Sequence, residues 1–293
     1  MIQNTQLWTA LITPMNMDGS VDLKSLEKIA IEQERAENGI LLIGSTGEGL
    51  ALDDDEKQQV VECVANLELN TPVMVGVGGM NVQKQVSWVD KCNSLNIDAY
   101  LMVTPLYSKP GPKGQFEWFK TLLDASEKPC MLYNIPSRTG IDLPFEVAEK
   151  LADHPNMLAI KEASGSTDIY REFRDRVPSV PLYSGDDALV STFAEFGCRG
   201  SVSVAANVWP EETKLYTKLC LSGNTDSLFP LWKKAVKALF SASNPIPTKI
   251  LMHSRGDIST ATLRLPLIET ELDDSAELLQ IDKEIKQWFK ENR

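Results

Sequence analysis

Short apolar runs alternate with longer amphipathic stretches along most of the chain. The runs are Leu7 to Thr13, Gly39 to Ile43, Pro72 to Val77, Asp98 to Val103, Pro129 to Asn134, Met157 to Lys161, Pro181 to Ser184 and Gly200 to Ala205. Several are apolar at nearly every position, as strands of a parallel sheet covered on both faces must be. The stretches between them carry helix start signals. Asp22 opens the first. Asp53-Asp54-Asp55-Glu56 loads the next with acids that complement the positive end of a helix dipole. Asn81 precedes a third pattern, Pro144 suits the first turn of another, and Thr167-Asp168 opens one more. Strand–helix units recurring about every 20–35 residues predict a parallel sheet. Eight of them predict an α/β fold closed into a (β/α)8 TIM barrel over residues 1–223.

Beyond about Ser222 the pattern is helical only, over Asp226 to Phe240, Pro247 to Ser254 and Ser275 to Asn292. This predicts a C-terminal helical extension over residues 224–293. No low-complexity linker precedes it, so it is expected to pack on the barrel or on a neighbouring subunit.

Composition narrows the function classes. The 293 residues are 43% hydrophobic and 24% charged, an ordinary globular balance. The net charge of −12 with no basic run argues against nucleic acid as a partner. No apolar run reaches the ~20 residues that span a bilayer, and the start lacks the marks of a signal peptide. Five scattered cysteines show no metal or redox spacing, which predicts reduced thiols in a cytoplasmic protein. The only histidines, His154 and His253, have no HxH or HxxxH partner, so no metal site is expected.

Barrel enzymes carry their chemistry at the C-terminal ends of strands. Three such ends bear unexpected polar groups. Lys161 ends the buried-looking run from Met157, where desolvation would favour the neutral, nucleophilic amine. The same lysine could instead snorkel out at the rim or pair with Glu162. Tyr133 and Lys161 are 28 residues apart, one strand–helix unit, at corresponding strand ends. Adjacent strands lie ~4.8 Å apart, so the two side chains can converge over the barrel mouth. A tyrosine there can pass protons, and Arg138 in the following loop can bind a carboxylate bidentately. A core tyrosine and a solvated loop arginine are the plainer readings. The third end, Gly44-Ser-Thr-Gly-Glu48, offers amides and hydroxyls to a keto-acid carboxylate, or is only a tight turn.

Together these segments resemble the dihydrodipicolinate synthase / N-acetylneuraminate lyase family of pyruvate-dependent class I aldolases. The motifs Gly44-Ser-Thr-Gly-Glu48, Thr104-Pro-Leu-Tyr107, Tyr133-Asn-Ile-Pro136, Ile160-Lys-Glu162 and Asn244-Pro-Ile-Pro-Thr-Lys249 occur in the family's order across nearly the whole chain. Arg138, Ser184-Gly-Asp-Asp187 and Ser201-Val-Ser-Val-Ala-Ala-Asn207 resemble the synthase branch. The resemblance implies that Lys161 forms a Schiff base with pyruvate. Tyr133 would shuttle protons in a relay with Ser45 and with Tyr107 from a second subunit. Thr46, Val202 and Gly185 would lie around the substrates, with Arg138 on the carboxylate of L-aspartate 4-semialdehyde. No cofactor is implied, and the assembly would be a homodimer or homotetramer. A sibling lyase acting on another aldehyde and a non-catalytic barrel that binds a small acid are the alternatives.

Two departures from the family pattern matter. Ser45 stands where many synthases have threonine, which keeps the hydroxyl. Where lysine-inhibited members bind lysine, this chain has Gly49, Leu50, Asp54, Lys57, Asn81, Gln85 and Leu106. Only the asparagine is retained, and Lys57 would repel an ammonium. Weak or absent feedback by lysine is therefore expected.

Overall fold

A computed structural model describes residues 2–224 and 229–293. Eight strands form: β1 (Leu7–Ala10), β2 (Gly39–Leu42), β3 (Val73–Val77), β4 (Ala99–Val103), β5 (Cys130–Asn134), β6 (Met157–Glu162), β7 (Leu182–Ser184) and β8 (Gly200–Ser203). They pair in parallel, in sequence order, and close by β1 against β8. All eight expected strands are present. Several are shorter than their apolar runs, because residues such as Leu11 to Thr13 stay buried after the chain has left the sheet.

The helices are α1 (Leu23–Arg35), α2 (Asp54–Ala65), α3 (Val82–Asn93), α4 (Pro112–Ala125), the single turn α5 (Pro136–Thr139), α6 (Phe145–Leu151), α7 (Thr167–Arg176), α8 (Val190–Ala194) and α9 (Pro210–Leu221). Their starts follow from the chemistry of the capping residues. Asp22 accepts from the Ser25 amide at 3.0 Å, and Asn81 accepts from the Lys84 amide at 3.1 Å. Asp53 and Glu56 form a reciprocal capping box, a device whose cap residue is worth ~1 kcal/mol. Two starts fall one residue away from the expected place. Ser166, rather than Thr167, caps α7, because its hydroxyl reaches the Ile169 amide. Pro144 is the residue before α6, in an extended conformation.

After α9 come α10 (Phe229–Leu239), α11 (Ile246–Ser254) and α12 (Ala276–Asn292). The expected start of α10 at Asp226 lies outside the described residues. These helices join the barrel through polar as well as apolar contacts. Tyr216 of α9 stacks on Trp232 of α10, with ring centroids 4.1 Å apart. Trp209 donates to Asp282 of α12 at 2.9 Å, and the same carboxylate takes Arg255 at 3.0 Å.

The apolar core has two layers. One lies between strands and helices and includes Ile40, Val75, Leu132, Ile160 and Phe193. The other fills the barrel lumen with Trp8, Leu41, Met74, Met131, Tyr133, Tyr183 and Val202. Alternation along the strands sends successive side chains to opposite layers. It is interrupted in β6 by a register shift opposite Cys130 and Met131 and is regular again over Ile160, Lys161 and Glu162. That alternation decides which strand-end residues can meet inside.

Candidate active site

Tyr133 and Lys161 are register partners across β5 and β6, so both project to the same side of the sheet. That side is the lumen. The Lys161 Nζ lies 4.1 Å from the centroid of the Tyr133 ring, and the two residues are 5% and 7% exposed. Burial penalises the ammonium and brings the Lys161 pKa down to about 7. The Asp187 carboxylate opposes that shift, and the Arg138 guanidinium adds to it. A substantial fraction of the amine is therefore neutral and nucleophilic near pH 7. Burial also pushes the Tyr133 phenol above its usual range, although Arg138 works the other way. The phenol stays protonated and able to donate.

Glu162, the next residue, points to the opposite face. Its carboxylate accepts from Asn134 Nδ2 at 2.6 Å and from the Ser164 amide at 2.5 Å. Asn134 Oδ1 in turn accepts from the Leu143 amide at 2.8 Å. A Lys161–Glu162 pair is thus not made, and strand alternation is the reason. The rim-snorkelling alternative also falls, because the amine is buried.

Gly185, at the end of β7, packs against the lysine's methylene stem. A Cβ there would stand 2.8 Å from Lys161 Cε and 2.7 Å from Ala163 Cβ. Two residues on, the buried Asp187 carboxylate accepts from the Val204 and Ala205 amides at 2.9 and 3.0 Å. Its carbonyl accepts from Trp232 Nε1 at 2.9 Å, which ties α10 to this strand end. Val202 is buried in the lumen on β8.

The loop after β2 is held from the C-terminal side. Thr46 is 2% exposed, and its hydroxyl accepts from Asn244 Nδ2 at 2.9 Å. Lys249 and Glu48 form a fully buried ion pair at 2.5 Å. Lys249 also donates to the Thr262 carbonyl at 2.9 Å, while the Arg264 amide donates to Glu48 at 2.9 Å. Burial lowers the Lys249 pKa, and Glu48 opposes it. Arg264 forks onto Glu56 at the start of α2.

A cavity of about 1360 Å³ opens over this arrangement, lined in part by Ser45, Tyr107, Tyr133 and Arg138. Lys161, Thr46, Val202 and Gly185 lie outside the cavity lining. Ser45 is exposed, and Tyr107 is 86% exposed on a loop where it adopts φ 66°. Among the described residues, no hydrogen bond links the hydroxyls of Ser45, Tyr107 and Tyr133. The expected relay is therefore not closed within one chain. The seven positions considered for lysine feedback all line the same cavity. There Asn81 spends its side chain on capping α3, and Lys57 lies 3.6 Å from Asp54.

Asn134, Asp187, Asn244 and the Glu48–Lys249 pair were not anticipated as supports. The available signal was polarity out of place, as with Lys249 beside the apolar run Ile250, Leu251 and Met252.

Residues 3–286 match the sequence profile of the Dihydrodipicolinate synthetase family. The 4-hydroxy-tetrahydrodipicolinate synthase of Francisella philomiragia is 48% identical over 289 residues, covering 98% of this chain and 97% of its own. The dihydrodipicolinate synthase of Acinetobacter baumannii, solved in complex with pyruvate, superposes with a TM-score of 0.90. It is 31% identical, over 97% of this chain and 99% of the other. The enzyme of Cyanidioschyzon merolae, solved with lysine bound, gives 0.91 at the same identity and coverage.

Proposed function

The chain belongs to the dihydrodipicolinate synthetase family, and from that premise we propose that Lys161 carries its reaction as a Schiff base with pyruvate. The reaction is the condensation of pyruvate with L-aspartate 4-semialdehyde to 4-hydroxy-tetrahydrodipicolinate. The single observation that supports the assignment best is the buried Lys161 amine, 4.1 Å over the Tyr133 ring at a neighbouring strand end.

The neutral amine attacks the ketone carbon of pyruvate to give a carbinolamine. Tyr133 donates the proton with which the hydroxyl leaves as water, and an iminium remains. Loss of a proton from the methyl carbon gives the enamine, whose carbon attacks the aldehyde. The amino group of the second substrate then adds to the iminium carbon and expels the Lys161 amine, closing the ring. Thr46 and backbone groups near Val202 hold pyruvate's carboxylate, and Arg138 holds that of the aldehyde. Gly185 serves by leaving room for the lysine stem. Ser45 and a Tyr107 from a second subunit complete the proton relay, and the high exposure of Tyr107 supports at least a homodimer. A homotetramer of two such dimers is the larger assembly to test by light scattering.

We take residues 1–223 as the catalytic barrel and 224–293 as an extension packed on it. The bonds from Asn244 to Thr46 and from Lys249 to Glu48 support that division. No helix among the described residues is long and apolar enough to cross a membrane. Five free cysteines fit a reducing cytoplasm.

Borohydride reduction with and without pyruvate, followed by peptide mass spectrometry, tests the nucleophile. A pyruvate-dependent adduct on Lys161 is expected, and its absence from folded protein refutes the mechanism. Arg138→Ala separates this reaction from that of a sibling lyase. The variant should still trap pyruvate while losing turnover of the semialdehyde.

A further inference from the structure

The cavity over the site is cationic in an acidic protein. Among the described residues, its charged lining is Lys57, Lys84, Lys109, Arg138 and the single acid Asp54, in a chain of net charge −12. Asp54 lies 3.6 Å from Lys57, at the side of the cavity formed by α2. On the side formed by α5, Lys109 and Arg138 have no carboxylate within ion-pair distance among the described residues. Two unpaired cations facing one cavity call for an anion.

The backbone accounts for their meeting. Tyr107 and Lys109 both take left-handed conformations, φ 66° and 47°, on the loop between β4 and α4. Tyr107 stands out into solvent while the Lys109 stem turns back onto Gly140 of the same chain. A Cβ at Gly140 would lie 2.8 Å from Lys109 Cε and 3.4 Å from its Nζ. Gly140, at φ 75°, ends α5, whose last turn carries Arg138. The ammonium is thereby placed at the helix end that bears the guanidinium.

We propose that Lys109 is a specificity-determining residue that shares with Arg138 the carboxylate of the aldehyde substrate. The inference rests on the reaction assigned above. Arg138 supplies a planar fork, and Lys109 supplies a compact second charge from a separate loop. Pyruvate's own carboxylate is bound deeper, near Thr46, so Lys109 acts on the second substrate only. A single charge-assisted hydrogen bond of this kind is worth about tenfold in affinity or more.

The test compares wild type, Lys109→Gln and Lys109→Arg by steady-state kinetics in both substrates, with pyruvate trapping measured alongside. Lys109 is exposed, so neither substitution disturbs the core. Lys109→Gln should raise the KM for the semialdehyde about tenfold with kcat, the KM for pyruvate and trapping unchanged, and Lys109→Arg should restore it. An unchanged semialdehyde KM, with trapping intact, overturns the role of Lys109 alone. Equal rises in both KM values also overturn it, because they report a general effect of charge or loop position. No pyruvate adduct on wild-type Lys161 would remove the parent reaction and this inference together.

Discussion

Gly185→Ala adds one methyl group at the point where β7 meets the lysine stem. Its Cβ would stand 2.8 Å from Lys161 Cε, 3.1 Å from Cγ and 2.7 Å from Ala163 Cβ. Carbon atoms rest at roughly 3.5–4.0 Å, so the stem must retreat by roughly 1 Å. The lysine stem can yield by torsion, but Ala163 has no side-chain torsion, so its contact must be relieved by a small shift of the backbone. Overpacking of this kind costs about 1–3 kcal/mol, which lowers the melting temperature by a few degrees in a chain of this length. A 1 Å misplacement of a reacting group costs on the order of 10²-fold in rate. We therefore expect Gly185→Ala to stay folded, to melt slightly lower, and to form the pyruvate adduct about a hundredfold more slowly. Quenched borohydride trapping gives the rate, and a circular dichroism melt gives the stability. Adding Ala163→Gly should recover part of the loss by opening space on the other side. Wild-type trapping in the single variant would refute the claim that Gly185 positions the nucleophile.

Three further outcomes are expected. Lys161→Met abolishes trapping and stabilises the fold below about pH 7. The wild-type ammonium is favoured in the unfolded chain up to its ordinary 10.5 but in the folded chain only to about 7. Wild-type stability thus rises between those pH values, and the variant's advantage, a few kcal/mol at the order-of-magnitude level, should fade across that window in pH-dependent melts. A variant advantage that does not shrink with rising pH argues against a buried titrating amine. Lys249→Met leaves Glu48 buried without its cation and should cost about 3–5 kcal/mol in urea unfolding, most of it recovered by also making Glu48→Gln. A loss under 1 kcal/mol would contradict the pair's burial. Lysine at millimolar concentration should leave turnover nearly unchanged, because Lys57 lines the cavity beside Asp54; half-inhibition below 1 mM lysine would overturn that reading.

The sequence alone determined the order and parallel sense of the strands, because each element is written in a local period. Buried strands are mostly apolar, and several helices open on side chains that reach amides three residues ahead. Asp22, Asp53 and Asn81 therefore marked their helices without any tertiary knowledge. The same logic brought Tyr133 and Lys161 to one place, since one strand–helix unit separates them and the register pairs them. Tertiary structure decided what surrounds that pair. Lys161 faces the lumen and Glu162 faces the strand–helix layer; both are buried, and only the closed barrel says which of them meets Tyr133. Gly185, Asn244 and Lys249 meet Lys161, Thr46 and Glu48 across 24, 198 and 201 residues of chain. Contacts at such separations leave no period in the sequence, and a pKa depends on the whole shell of atoms that excludes water. Lys161 could be picked out from its neighbours along the chain, but the burial that lowers its pKa comes from neighbours in space.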